Sequence, residues 1–399
     1  MSNLRLFLKS GHWPTLLSSF LYFDLSFMAW MLVGALANHI SSEFGLSAGE
    51  KGCMVALPLL GGSLLRLALG ALADRIGAKR TAQAGLGLTL LPLLYGWLGA
   101  DSLAEVYLVG LLLGVAGASF AVALPLASRW YPAEQQGLAL GIAGAGNSGT
   151  VLATLFAPRL AEAWGWQAVF GLAALPILAC LAVLTLLARE APGGPGPRQR
   201  RDYRALLAHP EALRLGFIYA LTFGGFVGLA SFLPVFFHDQ YAASRVSAGD
   251  FATLCVIAGS FLRPVGGWLA DRFGGLRVLP AILGGATLGL GMLALLPFLE
   301  LAVLTLFCVM ALLGAGNGAV FQLVARHFGS RMGAATGLIG AVGGLGGFCL
   351  PIGLGLAQGA SGSYGSGLAG LAAMMAGGAL LLLAQARARA ERPALKGEA

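Results

Sequence analysis

Charge is what this chain has least of. Of its 399 residues only 11% are Asp, Glu, Lys or Arg, whereas a soluble globular domain carries roughly a quarter. That shortage excludes an ordinary water-facing surface. Cysteine is also sparse: Cys53, Cys180, Cys255, Cys308 and Cys349 are odd in number and scattered through apolar runs. They offer neither a disulfide framework nor metal-ligand spacing. The five histidines, His12, His39, His209, His238 and His327, sit near the ends of apolar runs or between them, again without ligand spacing. A phosphate-cradling loop and a nucleophile elbow are both missing, so neither direct ATP use nor hydrolytic chemistry is expected, and no cofactor is implied.

What the chain has in abundance is apolar sequence. Hydrophobic residues make up 57% and the mean hydropathy is +0.81. Runs of about twenty apolar residues, enough to cross a hydrocarbon core of roughly 30 Å, recur from end to end. Backbone groups there have no water to bond, so the runs must be helices. The fold class is an all-α polytopic membrane protein with twelve transmembrane helices. They are expected near 13–40, 48–73, 80–99, 102–130, 136–161, 166–188, 211–237, 247–270, 276–298, 301–325, 330–357 and 364–386. The first run lacks a small-residue cleavage site and is read as a retained helix. Sixty-one glycines suit close helix packing in lipid, where small residues replace the hydrophobic effect as the association device.

The formal net charge of +8 reports topology rather than a nucleic-acid partner. Most Lys and Arg fall on one side of the expected spans, including Arg75, Lys79, Arg80, Arg129, Arg189, Arg272, Arg277 and Arg326; Lys51, Arg159 and Arg245 fall on the other. The positive-inside rule then puts both termini in the cytoplasm, in a bacterial inner membrane. Residues 190–209, EAPGGPGPRQRRDYRALLAH, form the only long polar stretch. They are read as a cytoplasmic linker joining an N-terminal six-helix half, 1–189, to a C-terminal half, 210–399.

The halves repeat each other at a constant offset of 197: Arg66 matches Arg263, Gly70 matches Gly267, Asp74 matches Asp271, Arg75 matches Arg272 and Gly77 matches Gly274. Parallel six-helix halves around a midplane site describe the major facilitator architecture, and the Gly70–Asp74–Arg75–Gly77 loop resembles that superfamily's signature. Asp74, Arg75, Asp271 and Arg272 are expected to gate or brace the cytoplasmic face rather than touch substrate. Arg66 and Arg263 each lie eight residues before the Asp, about 12 Å deeper along a helix. That is too deep for most snorkelling, and an arginine at a span centre costs roughly 2.5 to 3.5 kcal/mol. Paired guanidiniums at the midplane suit a small anion: carboxylate, phosphate or a trigonal oxyanion.

The fifth span carries Gly141, Gly144, Gly146 and Gly149 around Asn147, and the eleventh carries Gly337, Gly340, Gly343, Gly344, Gly346 and Gly347. Such faces can line a ligand or merely pack helices. With the arginine pair they make the chain resemble, over nearly its full length, the nitrate/nitrite porter family of the major facilitator superfamily. The resemblance implies that Arg66 and Arg263 hold the anion, that Asn147 with Gly144 and Gly340 lines it, and that Phe120, Tyr219 and Phe223 sandwich it. Those aromatics fit a core equally well. The eleventh span departs from the family's alanine mix by being almost pure glycine.

Asp24 is the one acidic residue placed deep in a span, among Phe20, Phe27 and Met28. Intramembrane carboxylates commonly relay protons; a structural ion pair with Arg66 or a polar helix contact is the alternative. Coupling is needed because each anion moved inward opposes the potential by about 2.3 kcal/mol per 100 mV. The segment around Asp24 resembles the branch associated with proton-coupled nitrate uptake. The expected partners are nitrate or nitrite, protons and the lipid bilayer, and the expected state is a monomer. Nitrate/nitrite exchange and carriage of small carboxylates are the rival readings.

Overall fold

The computed structural model describes residues 7, 10–192, 206–328 and 332–394. Every regular element among them is helical. Twelve rods follow in order: α1, Trp13–Ala35 continued by Ala37–Phe44; α2, Ala48–Ile76; α3, Ala78–Leu98; α4, Leu103–Gly117 continued by Phe120–Ser128; α5, Ala133–Gly144 and Gly149–Trp164; and α6, Trp166–Leu187. Then come α7, Pro210–Tyr219 and Gly225–Tyr241; α8, Arg245–Phe273; α9, Gly275–Leu293; α10, Leu299–Phe328; α11, Met332–Ser361; and α12, Gly365–Ala394. Eleven of these rods are long and apolar enough to cross a membrane. The remaining one, α3, has 21 residues, about 31 Å of helix. It occupies the place of the expected third span, diluted by Thr81, Gln83 and Thr89. Most of the polar stretch 190–209 lies outside the described residues.

The sequence repeat is also a repeat of helix geometry. Helices α2 and α8 both run for 29 residues, from Ala48 to Ile76 and from Arg245 to Phe273, so their ends match at the same offset as Arg66 and Arg263. Each starts on a serine N-cap, Ser47 accepting from Glu50 N–H and Ser244 from Ser247 N–H, which satisfies one orphan donor of the first turn. Each ends on a glycine with positive φ, Gly77 at 97° and Gly274 at 88°, where a Cβ would be strained. The next helix starts at once.

Four rods are interrupted where the composition shows an unbroken apolar run. A break at Leu36 divides α1 and another at Ala118–Ser119 divides α4; a 3-10 turn, Ala145–Ser148, divides α5, and a π turn, Ala220–Gly224, divides α7. None contains proline. Irregular backbone at membrane depth survives only where it is buried in protein or lines a cavity, so these breaks mark the interior of the bundle.

With twelve rods, the start of α1 and the end of α12 lie on one side. On the opposite side the first six helices meet the last six. Asn38 Nδ2 donates to Pro234 O at 2.8 Å across α1 and α7, and the hydroxyls of Thr154 and Thr253 bond at 2.7 Å across α5 and α8. Nearer the surface Arg159 pairs with Asp250 at 2.7 Å and Lys51 with Asp239 at 2.8 Å. The contacts between α5 and α8 come from Gly149–Trp164 and the 3-10 turn, so this seam is made on the side away from the termini. Helices α2 and α11 pack extensively.

The paired glycines can be separated by mutation. At Gly274 a Cβ would have open space, while at Gly77 it would meet the Glu190 side chain. Gly274→Ala should therefore cost only backbone strain, about 1 kcal/mol, and Gly77→Ala more. The fraction remaining monodisperse in detergent after graded heating should fall in the order wild type, Gly274→Ala, Gly77→Ala.

Candidate functional site

Arg66 is almost completely buried, with 1% of its surface exposed. Its guanidinium Nη1 donates to Gly340 O on α11 at 2.7 Å and its Nη2 to Gly117 O on α4 at 3.0 Å. The Gly117 carbonyl is available because α4 breaks there: Ala121 N–H, its ordinary helical donor, turns to Ala118 O instead. At Gly340 a Cβ would come within 3.2 Å of Arg66 Cδ and 3.4 Å of Nη1. The bare backbone at that position lets the arginine reach its carbonyl.

Arg263 enters from α8 and is half-buried. Its Cζ lies 5.2 Å from the Phe120 ring centroid and 5.9 Å from that of Phe321, while Arg66 Cζ lies 5.5 Å from Phe120 and 5.3 Å from Phe223. Phe120 is thus shared by both cations, in the range where a ring face attracts a guanidinium. Tyr219 stacks on Phe223 with centroids 5.0 Å apart and planes 5° from parallel, and it meets Phe321 edge-on at 5.0 Å. The π turn follows Tyr219 directly, and π turns are frequent at functional sites. Arg66, Arg263 and Tyr219 all lie within electrostatic reach of one another. Arg66 Nε, Arg263 Nη1 and the Tyr219 hydroxyl are buried and have no hydrogen-bond partner in the protein. Buried unpartnered donors beside two like charges are an arrangement that can take an anion.

Of the residues singled out in the sequence, Arg66, Arg263, Phe120, Tyr219, Phe223 and Gly340 come together in this cluster. Asn147 lies in the 3-10 turn of α5, buried, with Oδ1 unpartnered. Beside it Ser148 Oγ donates to Asp24 Oδ1 at 2.5 Å. Asp24 is 7% exposed, and the ion pairs among the described residues do not join it to Arg66. A Cβ at Gly146 would come within 2.6 Å of Phe23 Cδ1 and 2.8 Å of Asp24 N, so α5 is pressed onto α1 at this point. Gly144 meets only Leu124, at 4.0 Å. Asp74 accepts from Arg129 at 3.5 Å, whereas Arg75, Asp271 and Arg272 are exposed and Arg272 lies over Trp268 and Phe273. Sequence reasoning missed Phe321, the Gly117 carbonyl and Ser148. Phe321 lies on α10, on which sequence reasoning singled out no site residue. The other two depend on helix breaks that composition does not show.

The Major Facilitator Superfamily model matches residues 18–351. The "Nitrite extrusion protein" of Bacillus subtilis (strain 168) is 34% identical over 354 residues, covering 86% of this chain and 87% of that protein. The "Probable nitrate/nitrite transporter NarK2" of Mycobacterium tuberculosis is 35% identical over 338 residues, covering 83% and 85%. The chain belongs to the nitrate/nitrite porter family of the Major Facilitator Superfamily. Among solved structures, a D-xylose-proton symporter superposes with a TM-score of 0.74 at 17% identity, covering 93% of this chain and 96% of that one. That likeness is one of fold alone. A multi-pass transporter follows from the family and from the apolar rods together.

Removing Arg66 would leave the buried Gly117 carbonyl, already outside its helical bond, without a donor, so Arg66→Met should lower thermal stability in detergent by about 1 to 3 kcal/mol. Gly340→Val, which keeps the cation but blocks its carbonyl, should lower it by about 3 kcal/mol. Thermal midpoints of the two variants against wild type check both.

Proposed function

We propose that this protein imports nitrate, and also accepts nitrite, by proton symport. The observation that carries the reading is the pair Arg66 and Arg263 sharing the Phe120 ring, with buried donors left unpartnered. A planar oxyanion fits between aromatic faces and takes in-plane hydrogen bonds from forked guanidiniums. With the termini in the cytoplasm, the seam through Asn38, Thr154 and Arg159 closes the outer side, and this conformation releases substrate inward. The six-helix halves on either side of the 190–209 linker rock about the arginines, and Asp74 with Arg129 braces the inner face when it closes. Asp24 carries the coupling proton: its bond to Ser148, beside Asn147, ties its protonation to the α5 turn that faces α8.

A second reading is nitrate/nitrite exchange. It is favoured by the separation of Asp24 from Arg66, whose partners are both carbonyls, and by the relative named as a nitrite extrusion protein.

Sealed vesicles containing purified protein separate the two. Under symport, nitrate uptake without internal nitrite follows an inward proton gradient, and Asp24→Asn abolishes that dependence. Uptake that ignores the gradient and appears only with nitrite inside would establish exchange. In either case Arg66→Lys and Arg263→Lys should each reduce nitrate uptake by about tenfold or more, because an ammonium cannot reproduce the fork. Full transport by both lysine variants would overturn the anion site itself.

A further inference from the structure

Asn317 on α10 is 1% exposed, and both atoms of its amide, Nδ2 and Oδ1, lack a hydrogen-bond partner in the protein. A buried amide left bare on both sides requires an explanation. Its neighbours in sequence fix where it points. A Cβ on Gly316 would meet Thr222 of α7 within 2.7 Å, and one on Gly318 would be 2.7 Å from Gly267 N on α8. The residue between them faces the sector between α7 and α8. One turn later on the same face stands Phe321, whose ring meets Tyr219 of α7 and lies against Arg263 of α8. Asn317 therefore opens onto the arginine cluster from the α10 side. Its counterpart at the repeat offset is Phe120, the ring both arginines share. The tetrapeptide leading into it, Gly314-Ala315-Gly316-Asn317, is the same as Gly144-Ala145-Gly146-Asn147 on α5.

We infer that Asn317 is a further anion-contacting residue, and that its amide N–H completes the coordination of a three-oxygen anion and so favours nitrate over nitrite. This rests on the anion site proposed above. Arg66 gives one N–H of Nη1 and one of Nη2 to carbonyls, and Arg66 Nε, Arg263 Nη1 and the Tyr219 hydroxyl are the buried donors left unpartnered around the two cations. A trigonal oxyanion presents six lone pairs in its plane and a bent one fewer, so a further neutral donor serves the larger set. An amide supplies it without adding a third positive charge to two guanidiniums that already repel. With neither end of the amide held by the protein, a flip about its last torsion can turn the N–H end to the site.

The test is competition and uptake of nitrate and nitrite in sealed vesicles, comparing wild type with Asn317→Leu, Asn317→Asp, Asn317→Ala and Asn317→Ser. Leucine keeps the volume and removes the polarity. Asn317→Leu should raise the nitrate KM about tenfold or more while turnover at saturation stays within about threefold, and the nitrite KM should rise less. Asn317→Asp should lose more than Asn317→Leu, since it places an acceptor and a charge where a donor is needed. If Asn317→Leu does not fold, the hydroxyl of Asn317→Ser should keep the nitrate preference nearer wild type than Asn317→Ala does. Unchanged KM values in Asn317→Leu, or equal rises for both anions, would overturn the inference, as would equal preference in the Ser and Ala variants. Wild-type protein that moves neither anion would instead refute the function on which it rests.

Discussion

The constraint on which the rest of the structure depends is the burial of the Arg66 guanidinium. A cation at the centre of a span is tolerated only when backbone or ligand replaces the water it has lost. Here two carbonyls do so, and each comes from a different helix. One exists because α4 stops at Gly117, the other because α11 has no side chain at Gly340. The arginine thereby fixes the approach of α2, α4 and α11 to one another. It also leaves Nε buried without a partner in the protein. Charge repulsion between the two arginines is what an anion would relieve.

The glycines acquire a reason from the same packing. On α11 a Cβ at Gly343 would lie 2.9 Å from Tyr219 Cε1 and one at Gly346 would lie 2.6 Å from Ala220 O, so these positions seat α7 and its π turn. On α5, Gly146 seats α1 at Phe23 and Asp24. Both signatures thus hold broken helices at close range, and the side chains those breaks aim, Tyr219 with Phe223 and Ser148 with Asp24, are the polar and aromatic parts of the candidate site. The near-pure glycine character of α11 follows from having a large ring, a π turn and an arginine against one helix face.

The repeat is faithful in the length and ends of α2 and α8 and broken elsewhere: α4 and α5 are interrupted where α10 and α11 run on. Gly62 and Gly117 in the first six helices both lie against Trp30, whereas their counterparts Gly259 and Gly314 touch each other directly. Arg66 is sealed and Arg263 half-buried; Phe120 is matched by Asn317. A duplicated scaffold can supply two bodies that rock against each other, while a single small ion at the proposed site would not be surrounded by a two-fold copy of one contact set.

Composition alone determined that this chain crosses a membrane, since apolar runs in lipid have no alternative to the helix. The repeat with its two deep arginines was legible because equal spacing along equal helices means equal depth, and α2 and α8 do match end for end. The third span, read at 80–99, is likewise where α3 lies. The tertiary structure decided what those arginines touch. The carbonyls of Gly117 and Gly340, the ring of Phe321 and the bond from Ser148 to Asp24 all join segments far apart in sequence, and the contacts of Gly117 and Ser148 depend on breaks at Ala118–Ser119 and Ala145–Ser148 that carry no proline to announce them. Helix formation in a bilayer is enforced residue by residue by the solvent; the contacts between helices are set by shape, which no single segment contains.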